Sequence, residues 1–483
     1  MANIGKSSRA ISGGMWIGAS IAIGAVIQLA QTSTLAHQLA PTALGAVASI
    51  LVIIAFGDLV VSVGVSNAIV QRQNATEGEL SSLFWLNVAV GAIIATLVGI
   101  SGPILTWYFQ IPGAEPLMWL VAVSILATSQ AQVPRGVLER EMRFRAVALA
   151  ETIGAVTLLA VTTASVQFSS DALFIVLAYV TSACIRSACF AFLARKTFKA
   201  RLHFELRETR RFVSFGAYQV LDSIVTFAAS YAGPLALGRA ISPVALGGFT
   251  LATTYAVNTP ARINGALTRV AFPAMSSMRG DRSRLHSATL RTIEFAGTAN
   301  APLLFGLAIV AEDFVAVVFG REWIWITPVL QILAMVGLTR ALANPIGATL
   351  MATDRMRLGL IINLVKSLVT IALVITGSVS GGVVGAALGL LIAGILTLVI
   401  NSFLLRHLLG MRLRTFLWAH VYGPLLVLPM AIATWGAMVL VEASLPLARL
   451  LVAVTVGMAV YAVTVFVVPN PIRSILQTMR GSD

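Results

Sequence analysis

Five basic residues lie inside long apolar stretches of the sequence: Arg186, Arg262, Arg269, Arg340 and Lys366. Three carboxylates share this setting: Asp58, Asp222 and Glu294. A charge among apolar residues is costly unless it faces protein, water or a counter-ion. Arginine can hold a phosphate or pyrophosphate group through two parallel hydrogen bonds, and burial favours proton uptake by a carboxylate. These residues predict anion binding, with the carboxylates as candidates for H+ or Na+ coupling.

Motifs for bond-making chemistry are missing from the sequence. It contains no Gly-x-x-x-x-Gly-Lys-Ser/Thr motif for binding nucleotide phosphates and no His-Glu-x-x-His spacing. Cys184 and Cys189 are the only cysteines, and their separation of five residues suits neither a disulfide nor a metal site on a helix. The sequence therefore predicts a protein that is not an enzyme and that holds no catalytic residue, metal or cofactor.

Composition indicates a polytopic membrane protein. The chain has 483 residues, of which 58% are hydrophobic and 11% charged, with a mean hydropathy of +0.90. Its net charge of +14 comes from basic residues between apolar runs rather than from a separate basic domain. This pattern favours positive-inside topology over a nucleic-acid partner.

The apolar runs predict an all-α protein with fourteen transmembrane helices. They lie at about 11–35, 43–69, 82–106, 117–134, 146–166, 172–194, 212–238, 244–270, 292–318, 324–350, 358–377, 383–405, 416–440 and 446–468. With an even number of helices, most of the 33 basic residues fall on one side, and only Arg239, Arg321 and Arg449 fall on the other. We expect both termini in the cytoplasm.

An internal repeat divides the predicted helices. The motif APTALG at Ala40–Gly45 matches SPVALG at Ser242–Gly247, and SGGMW around Ser12 matches SFGAY around Ser214 at the same offset. Each repeat holds six helices, so the two lobes share one orientation in a parallel pseudo-twofold arrangement, with the substrate site between them. The predicted divisions are an N-lobe at 1–194, a basic cytoplasmic linker at 195–211, a C-lobe at 212–405, and two further helices with a cytoplasmic tail at 406–483.

Polar stripes on the predicted helices mark a cavity face. Read as a continuous α-helix, Val244–Val270 places four side chains on one face: Tyr255, Asn258, Arg262 and Arg269. Corresponding stripes contain Ser20 and Gln28 in the first helix, Asp58 and Ser62 in the second, and Gln219, Asp222 and Thr226 in the seventh. Two alternatives remain open: the serines pack helices together, and the arginines, Arg269 above all, reach the cytoplasmic surface.

Predicted depth separates these charges. Arg262 lies in the cytoplasmic third of its helix and Arg269 at the edge, whereas Asp58, Asp222, Arg340 and Lys366 lie near the middle of the membrane. Unpaired charges at that depth cost about 3 to more than 10 kcal/mol, so we expect them to pair or to contact water. Arg186 and Glu294 are intermediate. The linker is the most basic stretch, and we expect it to be solvated and to meet anionic lipid headgroups.

The sequence resembles the polysaccharide translocase (Wzx-type) branch of the multidrug/oligosaccharidyl-lipid/polysaccharide exporter superfamily. The resemblance rests on FGDLVVSVGVSNAIVQRQ at Phe56–Gln73, ELSSLFWLNVAVG at Glu79–Gly91 and LEREMRFRAVALAE at Leu138–Glu151. It implies two six-helix bundles in a V that opens alternately to either side of the bacterial inner membrane. The implied substrate is an undecaprenyl-pyrophosphate-linked oligosaccharide, flipped from the cytoplasmic to the periplasmic leaflet. The implied partners are membrane lipids and a polysaccharide polymerase with its co-polymerase.

Three other functions are weighed against this one. Lipid II flippases also have fourteen helices and a cationic cavity, but they carry arginines in the first helix, where this chain has none after Arg9. Drug-exporting relatives usually have twelve helices and cationic substrates, which a basic cavity would repel. Membrane polymerases and ligases usually carry large periplasmic loops, whereas the outer loops here are short. A lipid-linked oligosaccharide flippase is therefore preferred.

Overall fold

The structure is a computed structural model. It describes residues 23–62, 69, 75–168, 172–205, 223–261, 264–265, 275, 278, 281–352, 356–441 and 445–468. The chain forms two compact units, Met1–Gly247 and Gly248–Asp483. The first unit therefore includes residues 223–247, which the repeat assigns to the C-lobe. The predicted division of the chain at 195–211 stays a prediction.

Nine helices are described in the first unit, and a tenth begins in it. They are α1 (23–38), α2 (Pro41–Ser62), α3 (Glu77–Ile100), α4 (Gly102–Phe109), α5 (Glu115–Arg140), α6 (Phe144–Phe168), α7 (Ala172–Ala194), α8 (223–230), α9 (Ala232–Ala240) and α10 (Pro243–Thr253). The second unit continues with a π-helical turn at Thr254–Asn258.

The second unit contains seven further helices among its described residues. They are α11 (Arg282–Ile309), α12 (Ala311–Val318), α13 (Thr327–Ala352), α14 (Met356–Leu409), α15 (Leu413–Leu426), α16 (Leu428–Leu440) and α17 (Pro446–Val467). A short 3-10 helix, Arg321–Ile326, precedes α13.

The described residues form helices and no strands, as the hydropathy pattern predicts. Ten helical segments among them are long and apolar enough to cross a membrane. One of these, Leu358–Leu409, is 52 residues long and breaks at Gly381 and Gly382, where the backbone leaves helical geometry. Helical residues occur within every predicted range, and the count of fourteen crossings stays a prediction.

Helix α5 is the centre of the first unit. It packs against α2, α3, α6 and α7, and its residues Met118, Val121 and Ile125 are fully buried in the main apolar core. Small residues let the neighbours approach: a side chain at Gly57 of α2 would collide with Ile125, and one at Gly91 of α3 would collide with Ser129. The most buried helix therefore carries the contacts that position its neighbours.

The two copies of the repeat motif touch each other within the first unit. A Cβ atom at Gly45, at the end of APTALG, would collide with the backbone of Pro243 and Val244 in SPVALG. A Cβ atom at Gly247, the repeat equivalent of Gly45, would in turn crowd the backbone of Gly45. The missing side chains allow α2 and α10 to meet backbone to backbone.

The beginning of the basic linker is docked on α3 rather than freely solvated. The indole nitrogen of Trp85 donates to the carbonyl oxygen of Arg201 at 2.8 Å, and the hydroxyl of Ser81 accepts from the amide of Arg201 at 3.3 Å. Phe198 is buried against Leu80 and Leu83. Apolar burial of Phe198 and hydrogen bonds to Arg201 hold this part of the backbone to the bundle, while most of residues 195–205 stay exposed. The expected contact with anionic headgroups stays a prediction.

The last helices, which lie outside the repeat, pack on α11 and α12. At Gly297 and Gly423 the backbones of α11 and α15 come so close that a Cβ atom on Gly423 would collide with Gly297. Pro302 cannot donate to the carbonyl of Thr298, and the Tyr461 hydroxyl of α17 donates to that oxygen instead.

An ion pair fixes the start of α17 to α12. Arg449 Nε lies 3.0 Å from Asp313 Oδ2, and the Asp313 side chain is buried. Arg449 is one of three basic residues that the sequence assigns to the outer side of the membrane. The positive charge of Arg449 explains how the Asp313 carboxylate can be buried in the second unit.

Helix α14 is a hairpin that glycine makes possible. Gly382 has φ 57° and ψ −136° at the break, a conformation that suits glycine alone. On either side of the break, a Cβ atom on Gly377 or on Gly385 would collide with the carbonyl oxygen of the other. The two legs of the hairpin therefore meet backbone to backbone.

We predict that Gly385→Ala lowers the free energy of unfolding by about 1–3 kcal/mol, because the methyl group must push the two legs apart. Thermal unfolding of the purified protein measures this as a lower Tm. Gly381→Ala is the matched control, since nothing lies within 4 Å of a Cβ at that position. Equal Tm values for the two variants would contradict the close contact.

Candidate substrate- and ion-binding residues

Asp58 lies where four elements of the first unit converge. It is half-buried on α2, and its Oδ1 atom is buried and accepts no hydrogen bond. The Thr128 hydroxyl of α5 is a side-chain donor beside this carboxylate. Arg186 of α7 and Glu151 of α6 act electrostatically on this carboxylate. A buried carboxylate oxygen without a donor can accept a proton or contact a cation.

A chain of ion pairs extends from this point. Arg186 Nη1 lies 3.7 Å from Glu151 Oε2, and the other oxygen of Glu151 lies 3.1 Å from Arg135 Nη1. Arg135 also binds Glu139, with 3.0 Å between its Nε and Glu139 Oε1. Each of these side chains is between 21% and 35% exposed. With Asp58, the first-unit charge network contains three carboxylates and two guanidinium groups.

Local sequence explains the geometry of this network. Gly154 lies three residues after Glu151 on α6, and the aliphatic part of Arg186 packs where a Cβ of Gly154 would be. The Ser182 hydroxyl of α7 donates to the Gly154 carbonyl at 2.8 Å and joins the same two helices. A small residue on one helix thus gives the long arginine of the other access to Glu151.

Three members of this network are absent from the sequence-based site: Arg135, Glu139 and Glu151. The hydropathy pattern ends the fourth span near residue 134 and places Arg135 in a cytoplasmic connection, whereas α5 continues to Arg140. The spacing of Arg135 and Glu139, four residues apart, is a helical pairing signal that could have identified them. Arg186, predicted to face Asp58, pairs directly with Glu151.

Aromatic residues cover Asp58 on another side. Tyr231 lies close enough to Asp58 for an electrostatic interaction. The ring of Tyr231 stacks on Phe227 with 4.1 Å between centroids, and Phe227 meets Phe56 of α2 edge-on at 5.5 Å. Thr226, predicted to line the cavity, is exposed beside Phe227. Two other predicted cavity residues of this unit, Gln28 and Ser62, are half-buried.

The second unit presents two cations without a carboxylate partner among its described residues. Lys366, on the first leg of α14, donates to the Oδ1 atom of Asn401 on the second leg at 2.5 Å. Asn401 is buried, so the ammonium group is held by a neutral acceptor. Arg340, on α13, is half-buried and has neither a hydrogen bond nor an ion pair with any described residue. Both positive charges are therefore uncompensated within this part of the chain.

Glu294 lies on α11 of the second unit. It is half-buried, and Arg291 on the preceding turn acts electrostatically on its carboxylate. Tyr422 of α15 is near enough to feel the charge of Glu294. Glu294 therefore has one cation, Arg291, and one phenol, Tyr422, within electrostatic reach, and Tyr422 belongs to a helix outside the repeat.

The stretch that follows α10 differs from the continuous α-helix that the sequence predicts for Val244–Val270: a π-helical turn, Thr254–Asn258, interrupts it. Tyr255 and Asn258 lie in the π-helical turn, where an extra residue per turn departs from the α-helical spacing. Arg262 and Arg269 lie outside the described residues, so the face drawn through all four residues stays a prediction. Pro260 cannot donate to the carbonyl of Ala256, and this oxygen points at Gly337 of α13. Tyr255 packs edge-on against Phe314, and Asn258 is exposed.

Five predicted site residues lie outside the described residues: Ser20, Gln219, Asp222, Arg262 and Arg269. Their roles stay predictions, as do those of the described residues.

A comparison with protein families identifies the chain. The model for polysaccharide biosynthesis proteins matches residues 34–328, more than half of the sequence. The chain belongs to this family. The Wzx-type resemblance found in the sequence is thereby confirmed.

Curated relatives extend the match beyond those residues. The lipopolysaccharide biosynthesis protein WzxC of Escherichia coli (strain K12) is 29% identical over 90% of this chain and 89% of its own length. The teichuronic acid biosynthesis protein TuaB of Bacillus subtilis (strain 168) is 29% identical over 71% of each chain. The succinoglycan biosynthesis transport protein ExoT of Rhizobium meliloti (strain 1021) is 27% identical over 62% of this chain and 60% of its own.

Solved structures show the same fold. The lipid II flippase MurJ in an inward closed conformation has a TM-score of 0.72, covering 95% of this chain and 98% of its own at 14% identity. An inward-facing multidrug resistance MATE transporter of the MOP superfamily has a TM-score of 0.66, covering 82% and 98% at 14% identity. The prediction that this member of the family is a multi-pass membrane transporter and not an enzyme is confirmed.

We predict a measurable coupling between Arg186 and Glu151. In a double-mutant cycle of Arg186→Gln and Glu151→Gln, each single change removes one counter-charge from the partner residue, and the double change costs less than the sum of the two. The coupling energy should be about 1 kcal/mol, obtained from thermal or denaturant unfolding of the four proteins.

The control is the pair Arg201 and Glu77, whose side chains are 69% and 70% exposed. Its coupling should be close to zero. Strict additivity of Arg186→Gln and Glu151→Gln would show that the first-unit charge network does not stabilise the protein through this pair.

Proposed function

We propose that this protein flips undecaprenyl-pyrophosphate-linked oligosaccharide repeat units from the cytoplasmic to the periplasmic leaflet of the bacterial inner membrane. The units serve the synthesis of an exopolysaccharide, a capsule or an O-antigen, and transport proceeds by alternating access. Family membership supports a role in polysaccharide biosynthesis. The observation that carries the choice of substrate is the pair of uncompensated cations, Arg340 and Lys366.

The physical argument concerns the cost of these cations. A positive charge in the middle of the membrane costs about 3 to more than 10 kcal/mol unless something compensates it. A carboxylate partner would remove this cost but would also neutralise the site. Asn401 holds the ammonium group of Lys366 without cancelling its charge, and no described residue takes up the donors of Arg340. A pyrophosphate group supplies several negative oxygens for such donors.

The remaining predicted cations complete this proposal. Arg262 would meet the pyrophosphate first, on the cytoplasmic side, and Arg340 with Lys366 would hold it deeper in the membrane. Arg269, at the edge, and Arg186 complete the set of predicted ligands. Arg186 would act from within the first-unit charge network, where Glu151 already holds one of its nitrogens.

We further propose that the transport is coupled to H+ or Na+, with Asp58, Asp222 and Glu294 as candidate carriers. Asp58 has the strongest structural support, because its Oδ1 atom is buried without a donor. Protonation or a bound cation would compensate this atom, and loss of that ligand would strengthen its attraction for Arg186. A change in one ion pair could in this way alter the packing of α2 against α5 and α7.

Two rival functions are separable by their substrates. This chain has the fold of the lipid II flippase MurJ, but a sequence identity of 14% supports the fold alone and not the substrate. A multidrug antiporter would have to bind cationic drugs near Arg340 and Lys366, where like charges repel. We expect a deletion strain to accumulate the undecaprenyl-linked repeat unit on the cytoplasmic side, with unchanged peptidoglycan precursors and drug susceptibility. The polymerase and its co-polymerase are the proposed downstream partners.

We predict that Arg340→Ala and Lys366→Ala each fail to restore polymer export in the deletion strain, because each removes a ligand of the pyrophosphate group. The measurement is the amount of exported polymer together with the lipid-linked intermediate, normalised to the protein found in the membrane. Asn401→Ala should reduce export less, because the lysine keeps its charge and loses only its positioning.

Arg321→Ala is the matched control, since Arg321 is exposed before α13 and far from the predicted depth of the site. It should support full export. Full export by both Arg340→Ala and Lys366→Ala would show that these two residues do not bind the substrate. The identity of the substrate would still be tested separately, by the lipid that accumulates in the deletion strain.

We predict that Asp58→Asn abolishes the dependence of export on an ion gradient, because the amide keeps the shape of the side chain and cannot be charged. Polymer export in cells is measured while the proton gradient and the sodium gradient are collapsed separately, which identifies the ion. Glu312→Gln, a change at an exposed carboxylate, is the control. An Asp58→Asn protein with the gradient dependence of the wild type would assign Asp58 a structural role.

A further inference from the structure

A groove in the first unit lies apart from all the candidate site residues. It runs between α5 and α7 and ends at the linker residues that follow α7, with a volume of about 550 Å³. Known ligand pockets span about 300–1,000 Å³. The walls are apolar and include Val123 and Leu126 from α5, Ala188 and Ala191 from α7, and Phe84 and Phe198 at the linker end.

The linker end of the groove is positively charged. Arg195 and Lys199 line it, and both are exposed. Neither has a carboxylate partner among the described residues, and none of the residues that line the groove is acidic. The guanidinium carbon of Arg195 lies 4.0 Å from the centroid of the Phe192 ring, a cation–π contact that fixes the arginine but leaves its charge in place.

The mouth of the groove has a fixed shape. The bonds from Trp85 and Ser81 both go to Arg201 and hold the backbone just after Lys199. Before Lys199, the amides of Thr197 and Phe198 donate to the carbonyl of Ala194 at the end of α7. The ring of Phe198, between the two cations, is buried among Leu80, Leu83 and Val137. Arg195 and Lys199 are therefore anchored next to an apolar channel rather than carried on a free linker.

The surroundings of the groove face the membrane. Phe192 is 59% exposed and Val123 is 47% exposed, both on helices apolar enough to cross a bilayer. An occupant with one apolar chain and one negative headgroup fits this arrangement. A free phosphate would leave the apolar walls empty, and a zwitterionic lipid would bring a positive group to two cations.

We propose that this groove binds one anionic phospholipid from the leaflet on the linker side, which the topology predicts to be cytoplasmic. An acyl chain lies along the channel between α5 and α7, and the phosphate sits between Arg195 and Lys199. The bound lipid would fasten the start of the linker to the first unit. This inference does not depend on the identity of the transported substrate.

The test is native mass spectrometry of the full-length protein, delipidated in detergent and titrated with phosphatidylglycerol or with phosphatidylcholine of the same chain length. We expect one tightly held phosphatidylglycerol and weaker retention of phosphatidylcholine. Removing each charge, as Arg195→Gln or Lys199→Gln, should weaken phosphatidylglycerol binding by about fivefold and leave phosphatidylcholine unchanged. Ala188→Trp, at an exposed small residue of the wall, should reduce retention of both lipids.

Lys196→Gln is the matched control, because Lys196 is an exposed cation of the same turn that does not line the groove. Equal effects of Lys196→Gln and Lys199→Gln would show that the preference for phosphatidylglycerol comes from the overall charge of the linker. This result would overturn the proposed site. Equal retention of the two lipids, or retention of a polyprenyl pyrophosphate in place of phospholipid, would also overturn it. Thermal unfolding of each variant separates lost binding from lost folding.

Discussion

The cost of a charge in a membrane is the constraint from which the rest of the structure follows. A hydrocarbon environment offers no water to ionised side chains, so each charge must be compensated by protein or by a ligand. In the first unit, Arg135 and Arg186 share Glu151, and Arg135 also holds Glu139. The second unit leaves Arg340 and Lys366 without carboxylates among its described residues. Compensation of these two cations by an anionic ligand is the basis of the proposed function.

Close packing of backbones is what keeps these charges in position. In lipid, helices are joined by contact between small residues rather than by exclusion of water. Gly154 makes room for Arg186 beside Glu151, and Gly377 with Gly385 brings the two legs of α14 together, so that Lys366 on one leg reaches Asn401 on the other. Glycine substitutions at such crossings would displace charged groups several turns away. Stability and binding are consequently linked in this fold.

Hydropathy was sufficient to predict an all-helical membrane protein, because spanning length leaves a direct mark in the sequence. The partners of the charges were harder to predict. Arg135 looked cytoplasmic because hydropathy declines before α5 ends, and the π-turn at Tyr255 breaks the α-helical spacing from which the charged face was drawn. Docking of residues 195–205 depends on Trp85 and Phe198, whose contacts span more than a hundred residues of chain. A periodic pattern carries no record of such distant contacts.

The two units thus differ more in charge than in architecture. Both are built from apolar helices with polar positions in the interior, as the repeat at Ala40–Gly45 and Ser242–Gly247 suggests. Among the described residues, the first-unit charge network contains more carboxylates than guanidinium groups. The Oδ1 atom of Asp58 is buried there without a hydrogen-bond donor. The described part of the second unit holds Arg340 and Lys366 without a carboxylate partner. A transporter of an anionic lipid that spends an ion gradient needs both a group that titrates or binds a cation and a group that attracts the anion. Under the proposed function, Asp58 and Arg186 are such candidates in the first unit, and Glu294 with Arg340 and Lys366 are such candidates in the second, so the described part of each unit carries a candidate of each kind.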